Sequence, residues 1–264
     1  MKKLFLMAMV AIALVACKGN GEVNGSGTPA QDKKALTTVT TDAVNVLGKD
    51  LASVEKSLVA AGFKKIENPE VISAPAKKLK AIKAEEGDFP YVTYAYNLPE
   101  NADQMTEEES KKYLKDLLAK GQYFITTAVL YSDDKVAGFE TALIAGVNDN
   151  INLTYTDISD KLYSSMPENA IRKQWQGELG VEGGERKVYE KHEEYVASIA
   201  KAKAVGAMEQ GYALTSATSM SGLTYLCMWE RPTEEREATM TQREGYAYTL
   251  GSFMVADMSV AIGL

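Results

Sequence analysis

Histidine is nearly absent: His192 is the only one in 264 residues. Any Ser-His-Asp, Cys-His or histidine-metal chemistry would have to use it, and a multi-histidine metal centre is excluded. Cys17 and Cys227 are the only cysteines, too few for a disulfide framework. The sequence contains no Walker loop, no Gly-x-Ser-x-Gly and no Gly-x-Gly-x-x-Gly, so it lacks the usual phosphate cradle, hydrolase elbow and dinucleotide turn. No segment reaches the roughly 20 apolar residues a membrane-crossing helix needs, and the apolar C-terminus is interrupted by Asp257. Basic charge is also in deficit. The 29 Lys+Arg face 36 Asp+Glu, a formal charge of −7. That balance argues against nucleic acid as a partner and against direct binding to anionic lipid head groups.

What is present begins with an N-terminal pattern. Lys2 and Lys3 precede twelve apolar residues, Leu4–Val15. The length suits the hydrophobic region of a secretory signal peptide, not a spanning helix. Leu14-Val15-Ala16-Cys17 follows in register. This arrangement resembles the lipobox of bacterial lipoproteins. The resemblance covers residues 1–17 and implies removal of a signal peptide, 1–16. It also implies a diacylglyceryl thioether on Cys17 and fatty acylation, palmitate included, of the new N-terminus. The alternative is a secretory signal cut elsewhere, with Cys17 incidental. On the lipobox reading the mature chain carries 27 basic and 36 acidic residues, a formal charge of −9. Two or three acyl chains would hold it permanently, since each buried CH₂ contributes about 0.8 kcal/mol. Lys18, where an aspartate would signal inner-membrane retention in enteric bacteria, points toward the outer membrane.

Residues 18–34 contain four Gly, one Pro and a single sizeable apolar residue, Val23. Such a segment buries too little to offset its ordering entropy, so 17–34 is expected to be a lipidated cysteine with a flexible linker. The rest is expected to be an α+β fold of mainly antiparallel sheet covered by helices. Two sub-domains, 35–157 and 158–264, are the favoured division, with a single domain as the alternative.

Helix signals are local. Leu51, Val54 and Leu58 fall at helical spacing before Gly62. Thr106 and Glu109 form a capping box that opens a helix carrying Tyr113, Leu114, Leu117 and Leu118, ending at Gly121. Pro167 predicts a helix stacking Ile171, Trp175 and Leu179, and a long helix is expected over about 185–209, ending at Gly211. Helix–Gly–aromatic joints recur at Gly62, Gly121 and Gly211. Strands are expected over 91–98, 123–131, 136–147, 151–156, 212–218 and 223–229. A final strand places Met254, Ala256, Met258, Val260 and Ile262 on one face. Ser132-Asp133-Asp134-Lys135 reads as a hairpin turn.

No catalytic, cofactor or metal residue emerges from this chain; the one site assigned is lipidation at Cys17. His192 lies on the predicted long helix near Val188, Val196 and Ile199 and reads as a polar residue at a helix margin. Cys227 reads as a small buried thiol. Ser53–Lys56 and Ser198–Lys201 match Ser-x-x-Lys, but the Lys-Thr-Gly strand that accompanies it in penicillin-interacting enzymes is missing. Asn148, Asp149, Asn150, Asn152 and Asp157 lack the glycine and bidentate glutamate of a calcium loop. Glu234, Glu235 and Glu237 read as a solvated run. Of fourteen tyrosines, Tyr94 and Tyr96 should share a sheet face with Tyr91 opposite, and Tyr246 and Tyr248 form a second pair; sheet packing is their expected role. Two functions are carried forward. The first is a non-catalytic binding or assembly module reaching an envelope protein or glycan. The second is an envelope glycan hydrolase with two carboxylates about 5–10 Å apart.

Overall fold

Alternating apolar residues in the two halves of the chain come together in one antiparallel sheet. The computed structural model describes residues 30–66, 90–147, 177–180, 187–189, 191, 194, 204–205, 208–216, 223–232 and 234–257. The described helices are α1 (Ala30–Thr38), α2 (Leu51–Ala60), α3 (Glu107–Ala119) and α4 (Glu234–Glu244), with a 3₁₀ turn at Asp42–Val46. The strands are β1 (Phe63–Ile66), β2 (Tyr91–Tyr96), β3 (Phe124–Ser132), β4 (Lys135–Gly146), β5 (Gly177–Gly180), β6 (Lys187–Tyr189), β7 (Ala204–Val205), β8 (Met208–Ser216), β9 (Leu223–Pro232) and β10 (Tyr248–Asp257). Their order is β1-β2-β3-β4-β10-β9-β8-β5-β6, with β7 also on β8. The fold is α+β. Because β10 sits directly beside β4, strands from either side of residue 157 belong to the same sheet.

Turn chemistry sets the register. Asp133 (φ 48°) and Asp134 (φ 59°) both take the left-handed conformation, which matches the twist of the strands flanking a two-residue hairpin. Ser132 then faces Lys135, and Phe124 faces Ile144 at the far end, with one irregularity at Leu130/Tyr131.

Alternation along the strands divides the core in two. On one face Tyr94, Tyr96, Ile125, Val129, Phe139, Leu143, Phe253 and Val255 pack under Ala35 and Leu36 of α1, Val39 just after it, and Val54 and Leu58 of α2. Thr127 and Thr141 lie buried on this face and hydrogen-bond each other at 2.9 Å, so their hydroxyls are satisfied. On the other face Ala95, Phe124, Ile144 and Tyr248 pack under Leu114, Leu117 and Leu118 of α3 and Met240 of α4. The capping box of α3 forms as expected: the Glu109 amide donates to Thr106 Oγ1, and the Thr106 amide donates to the Glu109 carboxylate at 2.7 Å. Gly62 (φ 93°) and Gly121 (φ 68°) end α2 and α3 in the left-handed conformation that glycine adopts at least cost.

Three expectations are corrected. Ala30–Lys34, placed in the linker on composition, belongs to α1. Leu179, placed in a helix, lies in β5 and pairs with Lys187 and Ala213. Within the long helix expected over 185–209, Glu194 is helical, whereas β6, β7 and the start of β8 take the described positions 187–189, 204–205 and 208–209, so Gly211 sits inside a strand opposite Trp229. The Lys- and Ala-rich composition favours helix, but β8 gains nine register partners on β9, and tertiary pairing overrides propensity. The predicted strand at 151–156 and the start of the Pro167 helix lie outside the described residues, as do Met258, Val260 and Ile262.

Candidate functional site

The polar chemistry of the described residues concentrates where β2 meets α1 and α2. Alternation sends Tyr94 and Tyr96 to the same side, as expected, and both are buried. Each phenol reaches a carboxylate on a different covering helix. The Tyr96 hydroxyl donates to Asp32 Oδ1 of α1 at 2.7 Å. The Tyr94 hydroxyl donates to Glu55 Oε1 of α2, which also accepts from Lys65 Nζ at 3.1 Å. Asp32 is only 1 % exposed, and its second oxygen accepts from the Tyr123 backbone N–H at 2.8 Å. The cluster continues through Asn97, whose side chain donates to the Tyr123 carbonyl, and through the Tyr113 hydroxyl, which donates to the Asn97 carbonyl.

Electrostatics make these pairs latches. The hydrogen bond from Tyr94 holds Glu55 below the usual carboxylate range, with Lys65 adding to the effect against a desolvation penalty. Burial, then the neighbouring carboxylates, push both Tyr94 and Tyr96 far above the ordinary phenol range. A phenol that keeps its proton beside an ionised carboxylate is a donor to it and a poor acid toward anything else. The sign of the pH dependence follows. Glu55 is depressed on folding, so its contribution is present above the unfolded carboxylate value and fades as pH falls through the lower folded value. Tyr94 is raised, so its contribution is present below the unfolded phenol value of 10.0 and declines as pH rises beyond it. Tyr94→Phe is therefore expected to move the Glu55 carboxyl titration upward in NMR and to flatten the alkaline loss of stability. An unchanged Glu55 titration would rule out the latch.

Other candidate residues are dispersed. Ser53 and Lys56 lie exposed on α2, where the Ser57 hydroxyl donates to the Ser53 carbonyl. Cys227 stands in β9, in register with Phe253 and Ala213. Glu234, Glu235 and Glu237 form the first turn of α4, the first two exposed. Tyr246 and Tyr248 place their rings 6.1 Å apart in the core beneath α3 and α4. Burial, then Glu244, push the Tyr246 phenol far above its ordinary range. Cys17, His192, Ser198, Lys201, Asn148, Asp149, Asn150, Asn152 and Asp157 lie outside the described residues. Among the described residues, no group of three or more His, Cys, Asp or Glu is placed to hold a metal ion, and no helix is long and apolar enough to cross a membrane.

Two acidic residues went unnoticed in the sequence. Asp32 was hidden in the linker composition. Glu140 is 2 % exposed and stands in a row with Thr93, Ala128 and Met254 across β2, β3, β4 and β10. A lone acid within the otherwise uncharged run Val136–Val147 is a signal that could have flagged it.

Comparison of the chain with family models, characterised proteins and solved structures finds no match.

Proposed function

We propose that this chain is a lipid-anchored lipoprotein of a bacterial cell envelope, cleaved before Cys17 and held at the outer membrane. On this reading it acts as a non-catalytic binding or assembly module for an envelope protein or glycan. The observation that carries the anchor is the in-register sequence of Lys2-Lys3, the twelve apolar residues Leu4–Val15, and Leu14-Val15-Ala16-Cys17. The non-catalytic part is supported by how the described polar groups are used. Asp32 and Glu55 each serve a tyrosine that ties a helix to the sheet. The alternative, an envelope glycan hydrolase, would need two carboxylates about 5–10 Å apart, one of them raised enough to act as an acid.

The test is metabolic labelling with radioactive palmitate and mass spectrometry of protein extracted from envelopes. The native chain should take up label, begin at Cys17 and carry acyl mass there. Cys17→Ala should lose the label and leave the lipoprotein fraction. A bare Cys17 sulfur in the native protein overturns the reading.

A further inference from the structure

The sheet face beneath α3 and α4 is buried in two bands, with a partly open row between them. Ladder register sets Thr126, Ala142 and Ser252 side by side across β3, β4 and β10. All three are only partly covered, although they stand in central strands. On one side of them Phe124 and Ile144 are buried beneath α3. On the other, Thr93, Ala128, Glu140 and Met254 form a row in which no member is more than 2 % exposed. A sheet centre that water reaches between two buried rows is the floor of a cleft. This floor is low, since none of its three side chains is larger than threonine. The Thr93 hydroxyl is fully buried and has no hydrogen-bond partner among the described residues. On the opposite face the hydroxyls of Tyr94, Tyr96, Thr127 and Thr141 are all paired. Native folds seldom carry a buried hydroxyl without a partner unless something else uses it. The ladder neighbours of Thr93 on the cleft side are Ala95 and Ala128, so the register puts only methyl groups beside that hydroxyl there.

We propose that this cleft binds a sugar ring, with Thr93, Thr126, Glu140 and Ser252 taking its hydroxyls and Leu250 its C–H face. The inference rests on the reading of the chain as a binding module and commits that module to a glycan. Neighbouring strands lie about 4.8 Å apart and two residues advance a strand by about 6.8 Å, so the four polar groups frame an area of roughly 14 by 7 Å. That is room for one ring. A carboxylate accepts through both oxygens, and each threonine or serine hydroxyl both donates and accepts, which suits an occupant whose edge is a row of O–H groups. Leu250 is partly exposed two residues from Ser252 on the same face and packs against the apolar cluster under α3, so the cleft has an apolar rim beside its polar floor. No Lys or Arg stands on these three rows of β2, β3, β4 and β10, so the floor offers nothing to an anion.

The test follows the Thr126 and Ala142 methyl groups by NMR in the mature chain with Cys17→Ala, so that lipidation plays no part. Diacetylchitobiose, cellobiose and maltose are titrated, with glycerol and ethanolamine as controls. At least one of the three sugars should shift both methyl signals saturably, with a Kd of about 1 mM or tighter. Ala142→Leu raises the middle of the floor and should abolish the shift at Thr126. Thr93→Val keeps the shape and removes the hydroxyl. It should weaken binding about fivefold yet melt no lower than its parent, because the group it deletes has no partner to lose. A threonine with only a structural role would leave binding unchanged. Glu140→Gln should weaken binding about tenfold. No shift with any of the three sugars, equal shifts with glycerol or ethanolamine, or an Ala142→Leu or Thr93→Val chain that binds like its parent overturns the site. If Ala142→Leu still binds sugar, the binding-module reading stands without this cleft. If no sugar binds the chain at all, the glycan half of that reading falls too. Neither result touches the lipobox, which the palmitate experiment decides separately.

Discussion

Asp32→Ala is expected to lower stability to urea unfolding by about 3–5 kcal/mol, because it strands two buried donors at once. The Tyr96 hydroxyl and the Tyr123 amide both end on this carboxylate, at 2.7 and 2.8 Å. Neither has water to turn to, since Asp32, Tyr96 and Tyr123 are all buried. Tyr96→Phe removes one donor and leaves the amide bond intact, so it should cost about half as much. Asp32→Asn keeps an acceptor for one of the two and should fall between wild type and alanine. The double variant should cost less than the sum of the singles, since the two residues share one interaction. A cost below about 1 kcal/mol for Asp32→Ala would show that α1 is held by Ala35, Leu36 and Val39 alone.

The second large effect is expected at Gly138. A Cβ there would sit 2.9 Å from both the Ala256 Cβ and the Val255 carbonyl oxygen. These are backbone and near-backbone atoms of the paired strand, which cannot swing aside as the end of a lysine can. Gly138 faces Ala256 in the ladder joining β4 to β10, so relief requires the two strands to separate. Gly138→Ala should cost about 3 kcal/mol, and Gly138→Val more. Hydrogen exchange should quicken at amides along both β4 and β10. If Gly138→Ala melts at the wild-type temperature, the strands are not packed as closely as described.

The elements legible in the sequence are those whose signals are local. The Thr106–Glu109 box, the Asp133-Asp134 turn and the Tyr94/Tyr96 face all form as expected, because each depends on residues only a few positions apart. The three glycine joints show where local reading fails. Gly62 and Gly121 follow segments with Val54 and Leu58, or Leu114, Leu117 and Leu118, so there is an apolar stripe for the helix to bury. The segment before Gly211 also carries apolar residues, Val188, Val196 and Ile199 among them, yet around Gly211 the strand ladder to β9 prevails over the local pattern. Asp32 was missed for a different reason. Its partners lie 64 and 91 residues away, and no property of residues 17–34 alone could reveal that the chain becomes ordered at that carboxylate.

The position of β10 bears on how the protein reaches its folded state. A chain that emerges from its N-terminus delivers β1 to β4 first, and that half-sheet ends in the bare rim of β4. The strand that closes this rim is among the last to emerge, about a hundred residues later. Throughout that interval the unpaired rim of β4 is available to any passing strand. Long-range closure of this kind is slow. Its folding should therefore lean on holding chaperones more heavily than that of a protein whose strands pair in the order they appear.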